Sequence, residues 1–151
     1  MANLGFVRLG PIGGKMARRL LEAGHSVTGY DISDEALDKF RQSDGRIAES
    51  PAAAASGSAA TVVMVPNPEH VEDVVHGRSG ILEGLPENGL VIVMSTVDPN
   101  TSITVAHKVQ SAGFRMLEAP VTRSSQHAID GELGILVGGK AEDLEEARDL
   151  L

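Results

Sequence analysis

Residues 6–31 read FVRLGPIGGKMARRLLEAGHSVTGYD, and this stretch decides the fold. An apolar run over residues 4–9 feeds a glycine turn, and an amphipathic stretch over 12–23 follows. A second apolar run, 26–30, ends on Asp31. Strand, turn, helix and strand at this spacing form the repeating unit of a parallel sheet. The junction of first strand and helix is where such a unit aims backbone N–H groups at a diphosphate.

The same alternation continues outward from this stretch. Further apolar runs at 61–65, 90–94, 114–118 and 134–137 predict strands, and helical patterns lie at 34–42, 51–56, 68–75, 99–112 and 141–151. Ser33-Asp34-Glu35 and Asp98-Pro99 are helix-start signals, whereas Gly24 and Gly113 are stops. The strands are near-continuous Val, Ile and Met runs, as expected of strands covered on both faces. These patterns predict an α/β fold, a Rossmann-type doubly wound, mostly parallel sheet forming one domain over residues 1–151.

Within the glycine turn, Gly10 lets backbone approach a diphosphate and Gly13 lets the helix pack on the sheet. Asp31, 18 residues after Gly13, stands where an acid accepts hydrogen bonds from the adenosine ribose hydroxyls. A carboxylate there repels a 2′-phosphate, which favours NAD over NADP. One member of the G-x-G-x-x-G pattern is replaced: Arg8 stands at the first glycine. Its Cβ predicts strain or a shifted turn. The guanidinium either reaches a phosphate or stands in solvent and weakens cofactor binding.

Composition narrows the partners. The 151 residues carry 13 Lys and Arg against 21 Asp and Glu, a net charge of −8. This balance disfavours nucleic acid and anionic membrane surfaces, which reward clustered cations. The absence of cysteine removes disulfides and thiolate metal sites and fits a reducing cytoplasm. No apolar run approaches the roughly 18 residues of a membrane span.

Four segments in order, GFVRLGPIGGKMARRLLEAGHSVTGYD, VVMVPNPEHVEDVVHGRSGILEG, VIVMSTVDP and EAPVTRSSQHAIDGELGILVGG, resemble the β-hydroxyacid dehydrogenases. That family includes 3-hydroxyisobutyrate dehydrogenase, tartronate semialdehyde reductase and 6-phosphogluconate dehydrogenase, and the resemblance spans the whole chain. It implies an NAD(H)-dependent oxidoreductase acting on 3-hydroxy acids or the matching aldehydes. It further implies that Pro11 and Ile12 present backbone to the diphosphate, that Val65 and Pro66 line the cofactor's ribose, and that Ser95 and Thr96 lie beside the nicotinamide. Met64 and Met94 are expected in the core. Val93 stands where the family often has aspartate.

The substrate loop also departs from the common A-P-V-S-G-G. Here it runs Ala119-Pro120-Val121-Thr122-Arg123-Ser124, and it resembles the loop of the sulfolactaldehyde reductases. Thr122, Arg123 and Ser124 would supply hydroxyls and a guanidinium to a tetrahedral anion such as a sulfonate. The alternative is that Arg123 is a surface arginine and the substrate a plain carboxylate. His127 and Lys140 are expected to face solvent.

The resemblance places the catalytic lysine on a helix beyond Leu151, within an all-helical domain that also supplies the dimer contact. The chain alone is therefore expected to hold cofactor without turning over substrate, and the whole protein to be a homo-oligomer. The competing reading is a non-catalytic Rossmann module, favoured by Arg8, Val93 and the missing lysine. 6-Phosphogluconate dehydrogenase proper fits less well, because that enzyme prefers NADP.

Overall fold

The computed structural model describes residues 1–122 and 124–151. Its centre is a six-stranded sheet built from β1 (Asn3–Val7), β2 (Ser26–Tyr30), β3 (Arg46–Ile47), β4 (Ala60–Val63), β5 (Leu90–Val93) and β6 (Arg115–Glu118). The strand order is β3-β2-β1-β4-β5-β6, and every pairing is parallel. Between the strands run α1 (Gly13–Glu22), α2 (Asp34–Arg41), α3 (Pro51–Ala55), α4 (Pro68–His76), α5 (Ile81–Gly84) and α6 (Pro99–Ser111). After β6 come β7 (Val121–Thr122), α7 (Ser125–Asp130), β8 (Gly134–Ile135) and α8 (Ala141–Ala147), with a short 3-10 turn over Arg148–Leu150.

The apolar strand runs are explained by burial on both faces. Successive side chains of a strand point to opposite sides. Val7, Val63, Val91 and Val93 therefore enter one core with Ala54, Val71, Val75, Ile81, Val105 and Val109. Leu4, Phe6, Val62, Leu90 and Ile92 enter the other, with Ala17, Phe40 and Ala147. Met94 is buried and Met64 half-buried against the second core, so both methionines pack as expected. Val93 is fully buried in the first core, a place where a carboxylate would need a partner.

Helix punctuation follows the sequence. Ser33 Oγ accepts from the Ala36 N–H, Ser50 Oγ from that of Ala53, and Asp98 from those of Asn100 and Thr101. Gly24 and Gly113 adopt φ of 89° and 85° directly after their helices, the left-handed stop that glycine makes without a Cβ clash. The 134–137 run behaves differently from the other strands. Its first two residues pair antiparallel with β7 in a separate ribbon. A parallel crossover takes a dozen or more residues, and the connection from Thr122 to Gly134 holds only a six-residue helix.

A polar clamp fastens α8 to the sheet edge. Arg115 donates to Asp143 at 3.0 Å, to both carboxylate oxygens of Glu146 at 2.6 and 3.1 Å, and to the Asn88 carbonyl at 2.9 Å. Asp143 is buried, so Arg115→Ala strands its charge, and stability falls by roughly 1–3 kcal/mol in urea denaturation. The Arg115 guanidinium holds the Glu146 carboxyl below its ordinary value, mainly by hydrogen bonding. This contribution is complete above the unfolded-state value of about 4.3 and is lost as pH falls through the lower folded one. The Arg115→Ala protein therefore shows a shallower loss of stability on acidification than the parent.

Candidate functional site

The order of the sheet reverses between β1 and β4, and open α/β sheets hold ligands in the crevice beyond such strand ends. The segment leaving β1 there is Arg8–Ile12. The Arg8 N–H donates to the Tyr30 carbonyl at 2.8 Å, so the turn keeps to the sheet despite the missing glycine. The consequence is strain at Arg8, which sits at φ 78°, in the left-handed region that disfavours side chains.

The two remaining glycines have different reasons. A Cβ on Gly13 would lie 2.4 Å from the Arg8 carbonyl oxygen and 3.2 Å from the Phe6 ring, so glycine is required for helix and strand to meet. A Cβ on Gly10 would meet nothing within 4 Å, and its φ lies outside the left-handed region. The fold has no need of glycine at position 10. What glycine leaves there is open space against bare backbone. α1 begins three residues on, at Gly13, with no side-chain cap and no acidic residue in its first turn. An uncapped helix start presents N–H donors and the positive end of the helix dipole.

Across the turn, Asp31 closes β2 and is 5% exposed. Oδ2 accepts the Leu9 N–H at 2.6 Å and Oδ1 accepts the Ser33 N–H at 2.9 Å. The Arg8 guanidinium turns toward the same carboxylate, Nη1 to Oδ1 3.6 Å. Arg8, Gly10, Pro11, Asp31 and Ile32 wall the carboxyl end of a long groove between α1 and α2. A carboxylate has about four acceptor positions, so the acid retains acceptor capacity facing that groove.

Of the other expected residues, Ile12 is half-buried and Gly13 buried at the start of α1. Val65 is buried among core side chains, so only its backbone faces the strand ends; Pro66 and Thr96 are exposed just beyond β4 and β5. Ser95 is buried, and its hydroxyl accepts the Val65 N–H at 2.8 Å, joining the two strand-end loops. That bond makes Ser95 a fastener between loops.

In the loop that the resemblance assigns to the substrate, Thr122 and Ser124 are both exposed. The Thr122 hydroxyl donates to the Gly134 carbonyl at 3.2 Å, and Ser124 Oγ lies 2.8 Å from His127 Nδ1. Both hydroxyls thus have internal partners, and His127 closes a capping box at the start of α7. Arg123 lies outside the described residues. Lys140 is exposed at the start of α8.

Sequence reasoning missed two features. Ile32 is 76% exposed beside Asp31, an apolar face at the groove's mouth. Its signal was present: an isoleucine between a strand-closing acid and a helix cap has no core to enter. Lys15 Nζ donates to Ser125 Oγ at 2.5 Å, which ties α1 to the start of α7. No spacing rule relates residues 110 positions apart.

The chain matches the family described as the NAD binding domain of 6-phosphogluconate dehydrogenase over residues 3–151. It is 38% identical over 151 residues to 3-sulfolactaldehyde reductase of Escherichia coli (strain K12), covering 100% of this chain and 51% of that protein. It is 31% identical over 148 residues to mitochondrial 3-hydroxyisobutyrate dehydrogenase of Mus musculus, covering 98% of this chain and 44% of the other. The solved structure of 3-hydroxyisobutyrate dehydrogenase from Mycobacterium tuberculosis with L-serine superposes with a TM-score of 0.94 at 27% identity, over 100% of this chain and 51% of that one. The chain thus spans about half the length of the curated relatives it matches. Strand order, glycine turn, closing acid and sequence agree: the chain belongs to the NAD-binding domain family of 6-phosphogluconate dehydrogenase and its 3-hydroxy acid dehydrogenase relatives.

Proposed function

We propose that residues 1–151 hold NAD(H) for a cytoplasmic oxidoreductase that interconverts a 3-hydroxy acid, or its sulfonate counterpart, and the matching three- to four-carbon aldehyde. One observation carries this reading. Gly10 is a glycine that the fold itself does not require, set before an uncapped helix and opposite a buried acid. In this reading the backbone at Gly10, Pro11, Ile12 and Gly13 receives the diphosphate. Asp31 accepts from the adenosine ribose hydroxyls, and the exposed face of Ile32 packs on the adenine. Backbone at Val65, with Pro66 and Thr96, borders the nicotinamide half. When bound, the nicotinamide supplies or accepts the hydride.

The anion of the substrate falls to the loop at Thr122, Arg123 and Ser124, and 38% identity to a sulfolactaldehyde reductase supports a sulfonate. Thr122 and Ser124 are exposed; β7 and β8 hold the Thr122 backbone, Ser124 stands at the start of α7, and their hydroxyls exchange their internal partners, Gly134 and His127, for the anion when it binds. The proton donor for the forming alkoxide lies outside this domain, and so does the contact that makes the whole protein a homo-oligomer. The test is kcat/KM of the full-length gene product across a sulfonated three-carbon aldehyde and succinic, methylmalonic and tartronic semialdehydes. The expected result is a preference of roughly tenfold or more for the sulfonate, the scale of one added charge-assisted hydrogen bond. A clear preference for a carboxylate semialdehyde contradicts the substrate assignment, and residues 1–151 assayed alone are expected to show no turnover.

A further inference from the structure

Arg8 is the residue that the nucleotide-binding pattern does not explain. It takes the glycine position at φ 78°, and the strain is retained although nothing in the sheet requires a side chain there. Its side chain does not trail into solvent: it is 28% exposed, with Nη1 3.6 Å from Asp31 Oδ1. A guanidinium carries five N–H donors in a rigid fork. One edge faces the carboxylate, and the remaining donors are free to meet a second anion in the groove that Arg8 lines.

Asp31 alone would turn away a 2′-phosphate by charge repulsion at the ribose. Here its two oxygens accept the Leu9 and Ser33 N–H groups, and the Arg8 cation lies 3.6 Å from Oδ1. The Arg8 charge therefore opposes that of the carboxylate where the ribose would sit. The Ser33 hydroxyl, accepting from Ala36 N–H, keeps its own proton free to donate, and the eight-residue α2 starts beside it. We propose that Arg8 is a specificity-determining residue that lets this cleft take the 2′-phosphorylated adenine dinucleotide as well as the unphosphorylated one. The proposal rests on the dinucleotide reading above.

Calorimetric titration of NADH and NADPH into the parent protein, Arg8→Gly and Arg8→Lys tests it. Two shorter probes, ADP and 2′,5′-ADP, isolate the ribose end. The expected parent binds NADH and NADPH within about tenfold of each other, as a compensated acid implies. Arg8→Gly removes the phosphate's partner and relieves the backbone, so NADPH and 2′,5′-ADP affinities fall by roughly tenfold or more while NADH and ADP hold or improve. Arg8→Lys retains part of the phosphate affinity as a point charge. A thermal melt confirms that both variants remain folded. An unchanged NADPH-to-NADH ratio in Arg8→Gly overturns the assignment, as does a parent that discriminates against NADPH by about a hundredfold. Failure of every folded protein to bind either dinucleotide instead overturns the underlying cofactor reading.

Discussion

Gly10→Ala leaves the thermal midpoint of the domain where it was, or slightly higher, and lowers NADH affinity by roughly ten- to a hundredfold. The first half follows from the empty surroundings of a Cβ at Gly10 and from a backbone outside the left-handed region. Alanine in such a position stabilises by about 0.4–1 kcal/mol, because the unfolded chain loses freedom. The second half follows from where that methyl points, into the space a diphosphate needs. Overpacking costs typically about 1–3 kcal/mol, and each 1.4 kcal/mol or so is tenfold in affinity. Gly13→Ala is the control. Its methyl collides with the Arg8 carbonyl at 2.4 Å, so melting temperature and binding fall together. Differential scanning fluorimetry and calorimetry on both variants separate a glycine kept for the ligand from one kept for the fold.

Asp31→Ala is expected to damage stability and binding at once. The carboxylate is buried and accepts the Leu9 and Ser33 N–H groups, and Arg8 lies against it. Truncation leaves the buried Leu9 donor without an acceptor and Arg8 without its counter-charge. At about 1–3 kcal/mol for each stranded buried group, urea denaturation should show a total loss of roughly 2–4 kcal/mol. The same substitution deletes the acceptor for the ribose hydroxyls, so NADH affinity drops by more than about tenfold. A variant that keeps parental stability would show that the two backbone donors find other partners.

The repeating pattern of this fold is local, and the sequence carries it. Valine and isoleucine runs mark β4 and β5 because both are buried on both sides, whereas β1 and β2 hold one valine each and β2 alternates buried with half-buried residues. Gly24 and Gly113 mark helix ends because only glycine adopts those φ values cheaply. β3 escapes notice because it is two residues long, and its pairing rests on register with Thr28 and Gly29, not on composition. α5 and α7, four and six residues long, are too short for a periodic signal.

The site divides in the same way. Gly10, Gly13 and Asp31 announce themselves by spacing. The geometric distinction between the two glycines does not, because it depends on which atoms lie across from each Cβ. The alternatives for Arg8 likewise needed three dimensions. The residue keeps the turn by adopting a strained backbone, and its guanidinium settles on Asp31. The resemblance implies Ser95 beside the nicotinamide; what it does not tell is that the Ser95 hydroxyl accepts the N–H of Val65, 30 residues away.

A crystal of this domain soaked in NADH tests the central claim most directly. The account predicts density for the diphosphate against the backbone of Gly10 to Gly13 and for the adenosine ribose within hydrogen-bond distance of Asp31. An empty groove at saturating NADH, or a dinucleotide seated elsewhere on the sheet, would contradict it.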